Sequence, residues 1–176
     1  MPAFKQTYAR QCPIHFMGVW DTVSSYGTFT KSRFFPYTRG HQELKTVRHA
    51  VAIDERRVHY PKNDFNKYKL PKIGDTKKRD FKEVWFAGVH SDVGGSYAEE
   101  ESGLSKIALN WMVVEAVKYG LSIEKDRYLG QVLGHAEGYV APDYKGKLHP
   151  SLVGGWWFLE YFPKRVNPIG LSLIHI

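Results

Sequence analysis

The chain has 176 residues, 43% of them hydrophobic and 15% aromatic, which is the composition of one modest globular domain and excludes a disordered chain. Its single cysteine, Cys12, excludes an internal disulfide and a cysteine-rich zinc site. The net charge is +7. The polar N-terminus lacks the apolar stretch of a signal peptide. No apolar run approaches the roughly 20 residues that cross a bilayer. We therefore expect the protein to be cytoplasmic in the producing cell, or exported by a route that reads no N-terminal signal.

Two short apolar runs predict buried strands of a mostly parallel sheet. The first covers residues 14–20 and ends at Asp21. The second covers residues 83–89 and ends at His90. Each strand is followed by residues typical of loops, so both polar side chains are expected where a strand stops.

Helical spacing of apolar residues predicts one helix after each strand. The first is expected over residues 41–53, after a loop that contains several turn residues. The second should begin near Ser102 and stop at Gly120, with its apolar face formed by Leu104, Ile107, Ala108, Trp111 and Met112. Residues 58–80 should be irregular. The alternation of strands and helices predicts the α/β fold class, with a mostly parallel sheet flanked by helices.

Asp21 and His90 are the strongest candidates for catalysis. Catalytic groups of α/β proteins gather beyond the carboxyl ends of the strands, and neighbouring strands lie only about 4.8 Å apart, so the two side chains can meet. A carboxylate that orients a histidine base supplies two of the three members of a hydrolase triad. The alternative, left open by the pattern alone, is a turn aspartate and an ordinary hydrogen-bonded histidine.

Residues around the histidine could support such a site. An acidic residue two positions later offers a second carboxylate, and a pair of glycines would let the backbone turn sharply and leave the imidazole accessible. These supporting positions are Ser91, Asp92, Gly94 and Gly95. Of the other histidines, we single out only His149, in Leu148-His149-Pro150-Ser151.

A nucleophile is missing from the pattern. None of the ten serines lies in a Gly-x-Ser-x-Gly segment. Ser96 comes nearest, after Gly94 and Gly95, but the sharp strand-to-helix turn that a nucleophile elbow requires is not predicted there. We interpret Ser96 as a loop residue that hydrogen-bonds locally.

Two other functions compete with the serine-hydrolase hypothesis. Asp21, His90 and Asp92 could form a facial metal-binding set, which would make the protein a metal-dependent hydrolase. Alternatively, the chain could be a non-catalytic module that binds anionic lipid or nucleic acid through a basic surface. No HExxH, CxxC or EF-hand segment supports the metal hypothesis.

The basic charge is concentrated in residues 56–82. This segment has ten Lys or Arg against three Asp, a surplus equal to the net charge of the whole chain. Tyr60, Phe65 and Tyr68 lie among these charges and suit a membrane interface, so we favour an anionic membrane over nucleic acid as the partner. A solvated loop explains the same charges.

Four blocks of the sequence carry a resemblance to a known family. They are FMGVWDTV at 16–23, VRHAVAIDERR at 47–57, VWFAGVHSDVGGSY at 84–97 and GLSKIALNWM at 103–112. Their order and content resemble an α/β-hydrolase domain family of originally unknown function that includes phospholipase effectors of the type VI secretion system. The resemblance covers roughly residues 4–120.

The resemblance implies a Ser-Asp-His esterase in which Asp21 is the triad acid and His90 the general base, with no cofactor and no metal. Phospholipid or another ester would be the substrate, and secretion-apparatus or immunity proteins would be partners. The family's nucleophile precedes the GVWDTV-like strand in the chain. We therefore expect residues 1–165 to be the C-terminal part of an α/β-hydrolase domain that is inactive alone, and residues 171–176 to be a non-native tail.

Overall fold

The computed structural model describes residues 7–8, 14–22, 25–28, 31–34, 44–57 and 80–154. Most of the basic segment, the predicted domain end at residue 165 and the tail at 171–176 lie outside the described residues.

The described residues include five strands. They are β1 (Phe16–Trp20), β2 (Ser25–Thr28), β3 (Lys31–Phe34), β4 (Thr46–Ala52) and β5 (Asp80–Phe86). β1, β4 and β5 form one sheet in the order β1-β4-β5, and both pairings are parallel. β2 and β3 form a separate antiparallel pair, where a loop had been predicted. The predicted α/β class with a mostly parallel sheet is confirmed.

Apart from residues 7–8, which are also helical, the described helices follow β5. They are α1 (His90–Gly94), a 3₁₀ helix (Glu99–Glu101), α2 (Gly103–Lys118) and α3 (Lys125–Arg127), which continues into a π-helical turn (Tyr128–Val132). α2 lies where the sequence predicted it and ends shortly before Gly120. Ser102 precedes it, but the Ser102 hydroxyl donates to the carbonyl of Glu99 at 2.7 Å and does not cap the helix.

The prediction of a helix over residues 41–53 is wrong, because most of this segment is the central strand β4. All seven residues of Thr46–Ala52 are buried. A strand that is covered on both faces does not alternate between polar and apolar residues, so the usual strand pattern was absent. Arg48 and His49 also interrupt the apolar run, although both are buried and hydrogen-bonded.

β5 lies three residues earlier than predicted. It pairs with β4 from Thr46 opposite Asp80 to Ala52 opposite Phe86, and the sheet ends there. The chain then turns at Gly88, whose φ of 118° is open to glycine and strained for other residues. As a result, His90 does not directly follow the strand, as predicted, but is the first residue of a short helix.

The core lies between the sheet and the helices α1 and α2. Two small residues of β4, Ala50 and Ala52, allow close packing, and they share one cluster with Val93, Ala108 and Met112. Partly buried aromatic side chains close its margin: Phe16, Trp20, Phe86 and Trp111. Three of the five predicted apolar positions of α2, Leu104, Ala108 and Met112, are fully buried.

A cluster of charges, in which Arg48 and Glu115 are buried, joins the central strand to the end of α2. The Arg48 Nε atom donates to Glu115 Oε2 at 2.5 Å, and Nη2 donates to Asp80 Oδ2 at 2.7 Å and to the Tyr119 hydroxyl at 2.9 Å. Burial lowers the pKa of Arg48, but the hydrogen bonds to Asp80 and Glu115 raise it above its ordinary value. The charge of Arg48 is therefore compensated where it is buried.

We predict that Glu115→Gln lowers the free energy of unfolding by about 2–3 kcal/mol near neutral pH, because it leaves a buried arginine with one fewer counter-charge. Hydrogen bonds from Lys118, and then from Arg48 and Lys82, lower the pKa of Glu115 from 4.5 to about 2 against the effect of burial. A lowered pKa stabilises the folded state above pH 4.5, and this contribution is lost as the pH falls towards 2. The difference between wild type and variant should shrink over that interval in urea unfolding curves.

Glu124→Gln is the matched control. Glu124 pairs with Arg127 at 2.9 Å, and both side chains are mostly exposed, so the change should have little effect on the free energy of unfolding. Equal effects of the two substitutions would contradict the prediction.

Candidate active site

Asp21 is held in place by the end of the neighbouring strand. It follows β1, is buried, and has a positive φ of 36°. Its backbone N–H donates to the carbonyl of Ala50 at 2.6 Å, and its Oδ1 atom accepts the backbone N–H of Ala52 at 3.0 Å. The carboxylate is therefore fixed at the carboxyl edge of the sheet, with Oδ2 left for a second partner.

His90 is that partner. Its Nδ1 atom lies 2.7 Å from Asp21 Oδ2. Since an ionised carboxylate only accepts hydrogen bonds, Nδ1 carries the proton, and in the neutral ring Nε2 then holds the lone pair. The side chain is 30% exposed. The two residues that the sequence singled out are thus in direct contact, in the tautomer that a general base of a triad requires.

Glu55 supports the start of α1. Its Oε2 atom accepts the backbone N–H of His90 at 3.2 Å, and Arg57 binds both carboxylate oxygens at 2.8–2.9 Å. Burial raises the pKa of Glu55, but the hydrogen bonds from Arg57 and His90 bring it below its ordinary value. The sequence did not indicate Glu55, because the apolar spacing of residues 41–53 predicts a helix where β4 lies. A strand at Thr46–Ala52 would have placed Glu55 at the same edge as Asp21.

His49 holds the residue that follows Asp21. The backbone N–H of Thr22 donates to His49 Nε2 at 3.3 Å, so this nitrogen accepts and the proton is on Nδ1. Nδ1 faces Glu83 Oε2 at 3.2 Å. His49 is fully buried, and no feature of the sequence singled it out.

Asp92 is buried and is bound on both of its carboxylate oxygens. Oδ2 accepts the backbone N–H of Val89 at 3.0 Å, and Oδ1 lies 2.6 Å from the Nδ1 atom of His149. A Cβ atom on Gly88 would lie 2.4 Å from the Cβ of Asp92, so only glycine fits there. Within the described part of the chain, no group of three or more His, Cys, Asp or Glu side chains is arranged to hold a metal ion.

The remaining predicted positions shape the end of α1. The Ser91 carbonyl accepts the N–H of Gly95 at 2.9 Å, and Gly95 ends the helix with a φ of 76°. Gly94 is the last helical residue. Ser96 is exposed and follows this helix end, so it does not lie on a strand-to-helix turn.

Residues 1–115 match the family described as "T6SS, Phospholipase effector Tle1-like, catalytic domain". The chain belongs to this family. The match confirms the predicted relation to phospholipase effectors of type VI secretion, and it includes both Asp21 and His90. His149 lies beyond it.

Two further proteins are similar to this Tle1-like chain. Uncharacterized protein YEL023C of Saccharomyces cerevisiae (strain ATCC 204508 / S288c) is 23% identical, over 69% of this chain and 34% of the yeast protein. This chain thus spans about a third of the length of that relative. A crystal structure of an uncharacterized protein from Pseudomonas aeruginosa is 25% identical and has a TM-score of 0.45, over 63% of this chain and 18% of that one.

In the described residues, no helix has the length and apolar character to cross a membrane.

We predict that Asp21→Asn reverses the tautomer of His90. The asparagine oxygen can still accept the N–H of Ala52, which would turn the amide NH₂ group towards His90 Nδ1 and make that nitrogen an acceptor. Two-dimensional ¹H–¹⁵N spectra of the imidazole rings should show the proton moving from Nδ1 to Nε2. Asp126→Asn, at an exposed position of α3, should leave the signals of His90 unchanged. A retained Nδ1–H in Asp21→Asn would contradict the contact.

Proposed function

We propose that this chain supplies the acid and the general base of a serine-type carboxylic ester hydrolase whose substrate is a phospholipid. The observation that carries the proposal is the 2.7 Å contact between Asp21 Oδ2 and His90 Nδ1 at the carboxyl edge of a parallel sheet. The family of phospholipase effectors supports the substrate class.

In the proposed reaction, a serine hydroxyl attacks the acyl carbonyl of the ester while its proton passes to His90 Nε2. Asp21 stabilises the imidazolium that forms, without taking the proton itself. His90 then protonates the leaving alcohol, and an acyl-enzyme remains. A water molecule, activated by the same nitrogen, releases the fatty acid and restores the serine. The reaction needs no redox change and no cofactor.

We propose that the serine comes from a Gly-x-Ser-x-Gly segment that precedes β1 in the complete protein. The ten serines of this chain include none in such a segment. In the described sheet, β1 has a neighbour only on the side of β4. A strand paired with the other side of β1 would end at the edge where His90 lies, as an α/β-hydrolase arrangement requires. The 176 residues alone would then have no esterase activity.

We predict that His90→Ala in the complete protein lowers the turnover of a phospholipid in mixed micelles by about 10³-fold or more, because no group remains to accept the serine proton. His135→Ala, a change of an exposed histidine, is the control and should retain full turnover. Thermal melting of both variants establishes that they are folded.

Turnover above a tenth of wild type in His90→Ala would overturn the assignment of the base. Normal hydrolysis of a soluble short-chain ester without hydrolysis of phospholipid would leave the base in place and overturn the substrate class. Loss of activity on chelation would favour the metal-dependent alternative, in which Asp21, His90 and Asp92 hold the metal ion.

Docking on an anionic membrane through residues 56–82 stays a prediction of the sequence. The excess of basic residues should make the protein co-sediment with vesicles that contain anionic lipid, and less so as salt is added. Replacing the seven lysines of this segment by glutamine should abolish the binding. Equal binding to neutral and anionic vesicles would contradict the prediction. Export by a secretion apparatus and binding of an immunity protein are proposals that rest on the family.

A further inference from the structure

A second histidine–carboxylate pair connects the helix that carries the proposed base to a later segment of the chain. His90 and Asp92 are both in α1, whose first residue contacts Asp21. Asp92 is buried and binds His149, which comes from the segment after the π-helical turn. α1 is therefore held through His90 at one position and through Asp92 two residues later.

His149 makes four contacts that fix its ring and backbone. Nδ1 lies 2.6 Å from Asp92 Oδ1, and the backbone N–H donates to Asp92 Oδ2 at 3.2 Å. Nε2 lies 3.0 Å from Glu101 Oε2, and the ring stacks on Tyr97 with 3.6 Å between the centroids. Since ionised carboxylates only accept, both ring contacts are hydrogen bonds together only when both nitrogens carry protons.

The helix α1 depends on such contacts because it has only five residues. A helix this short is not stable by itself, so its position is set by what it binds. Its own backbone hydrogen bonds, from Val93 to Val89 at 3.1 Å and from Gly95 to Ser91 at 2.9 Å, report directly on whether it is formed.

We propose that His149 is a positioning residue for His90: by binding Asp92, it fixes α1 and thereby the geometry between His90 and Asp21. This rests on the proposed function of His90 as the base. His149 itself lies outside the residues that match the family. A displacement of about 1 Å at a reacting group can lower turnover by about 10²-fold. Loss of the contact between His149 and Asp92 could therefore lower turnover even though neither residue reacts.

The experiment tests the contribution of each ring nitrogen of His149 separately, with substitutions in the complete protein. The amide of asparagine can replace Nδ1 and keep a donor for Asp92, whereas glutamine places its donor near Nε2, towards Glu101. We expect His149→Asn to keep kcat within about threefold of wild type. His149→Gln and His149→Ala should lower kcat about 10–100-fold, with KM for the phospholipid nearly unchanged, because the substrate does not contact His149 in this proposal.

Hydrogen exchange gives a readout that does not depend on catalysis. In His149→Gln and His149→Ala, the amides of Val93 and Gly95 should exchange at least about tenfold faster, while the amide of Met112 in α2 keeps its rate. His149→Asn should exchange like wild type. His135→Ala controls for loss of a histidine as such.

Unchanged exchange in α1 together with unchanged kcat in His149→Gln would overturn the proposal, as would equal losses in His149→Asn and His149→Gln. Faster exchange of Met112 in every His149 variant would show a general structural role and would also overturn it. If the complete protein hydrolyses no ester while exchange in α1 responds as expected, the proposed function fails and the link from His149 to α1 stands.

Discussion

The buried carboxylate of Asp21 is the constraint on which the site depends. It lies where β1 ends, accepts the backbone N–H of Ala52 from β4, and contacts the ring of His90 from α1. One side chain therefore joins the ends of two strands to the helix that follows a third. The positive φ of Asp21 is disfavoured for any residue with a side chain, and aspartate is among the residues that tolerate it best. The contacts on both oxygens and on the backbone N–H offset that strain.

Hydrogen-bonded partners also explain why the central strand, β4, can contain two buried ionisable residues, Arg48 and His49. Arg48 points to α2, where Glu115 and Asp80 compensate its charge. His49 points to the other face, where its proton is on the nitrogen next to Glu83 and its lone pair accepts the N–H of Thr22. Burying either group without partners would cost several kcal/mol. With partners, the strand positions α2 on one face and the turn after Asp21 on the other.

The sequence was sufficient for some parts of this arrangement and not for others. Asp21 follows a short apolar run, so its position was predictable, and α2 was predictable because apolar residues recur at helical spacing from Leu104 to Met112. β4 was not predictable from periodicity, since both faces are covered. His149 and Asp92 are 57 residues apart, and nothing in the local sequence of either indicates that they meet. The α/β-hydrolase assignment and the catalytic roles stay predictions.

The two histidine–carboxylate pairs that involve α1 share the same contact but differ in their surroundings. In both, an Nδ1 atom lies 2.6–2.7 Å from an aspartate oxygen. The Nε2 atom of His149 lies 3.0 Å from a second carboxylate, that of Glu101, and its ring stacks on Tyr97, so both ring nitrogens already have partners within the chain. His90 has 30% of its side chain exposed at the carboxyl edge of the sheet, where catalytic groups of such folds gather. Because a general base must both reach its substrate and accept a proton, this difference supports the proposal that His90 takes part in the chemistry and that His149 holds the helix.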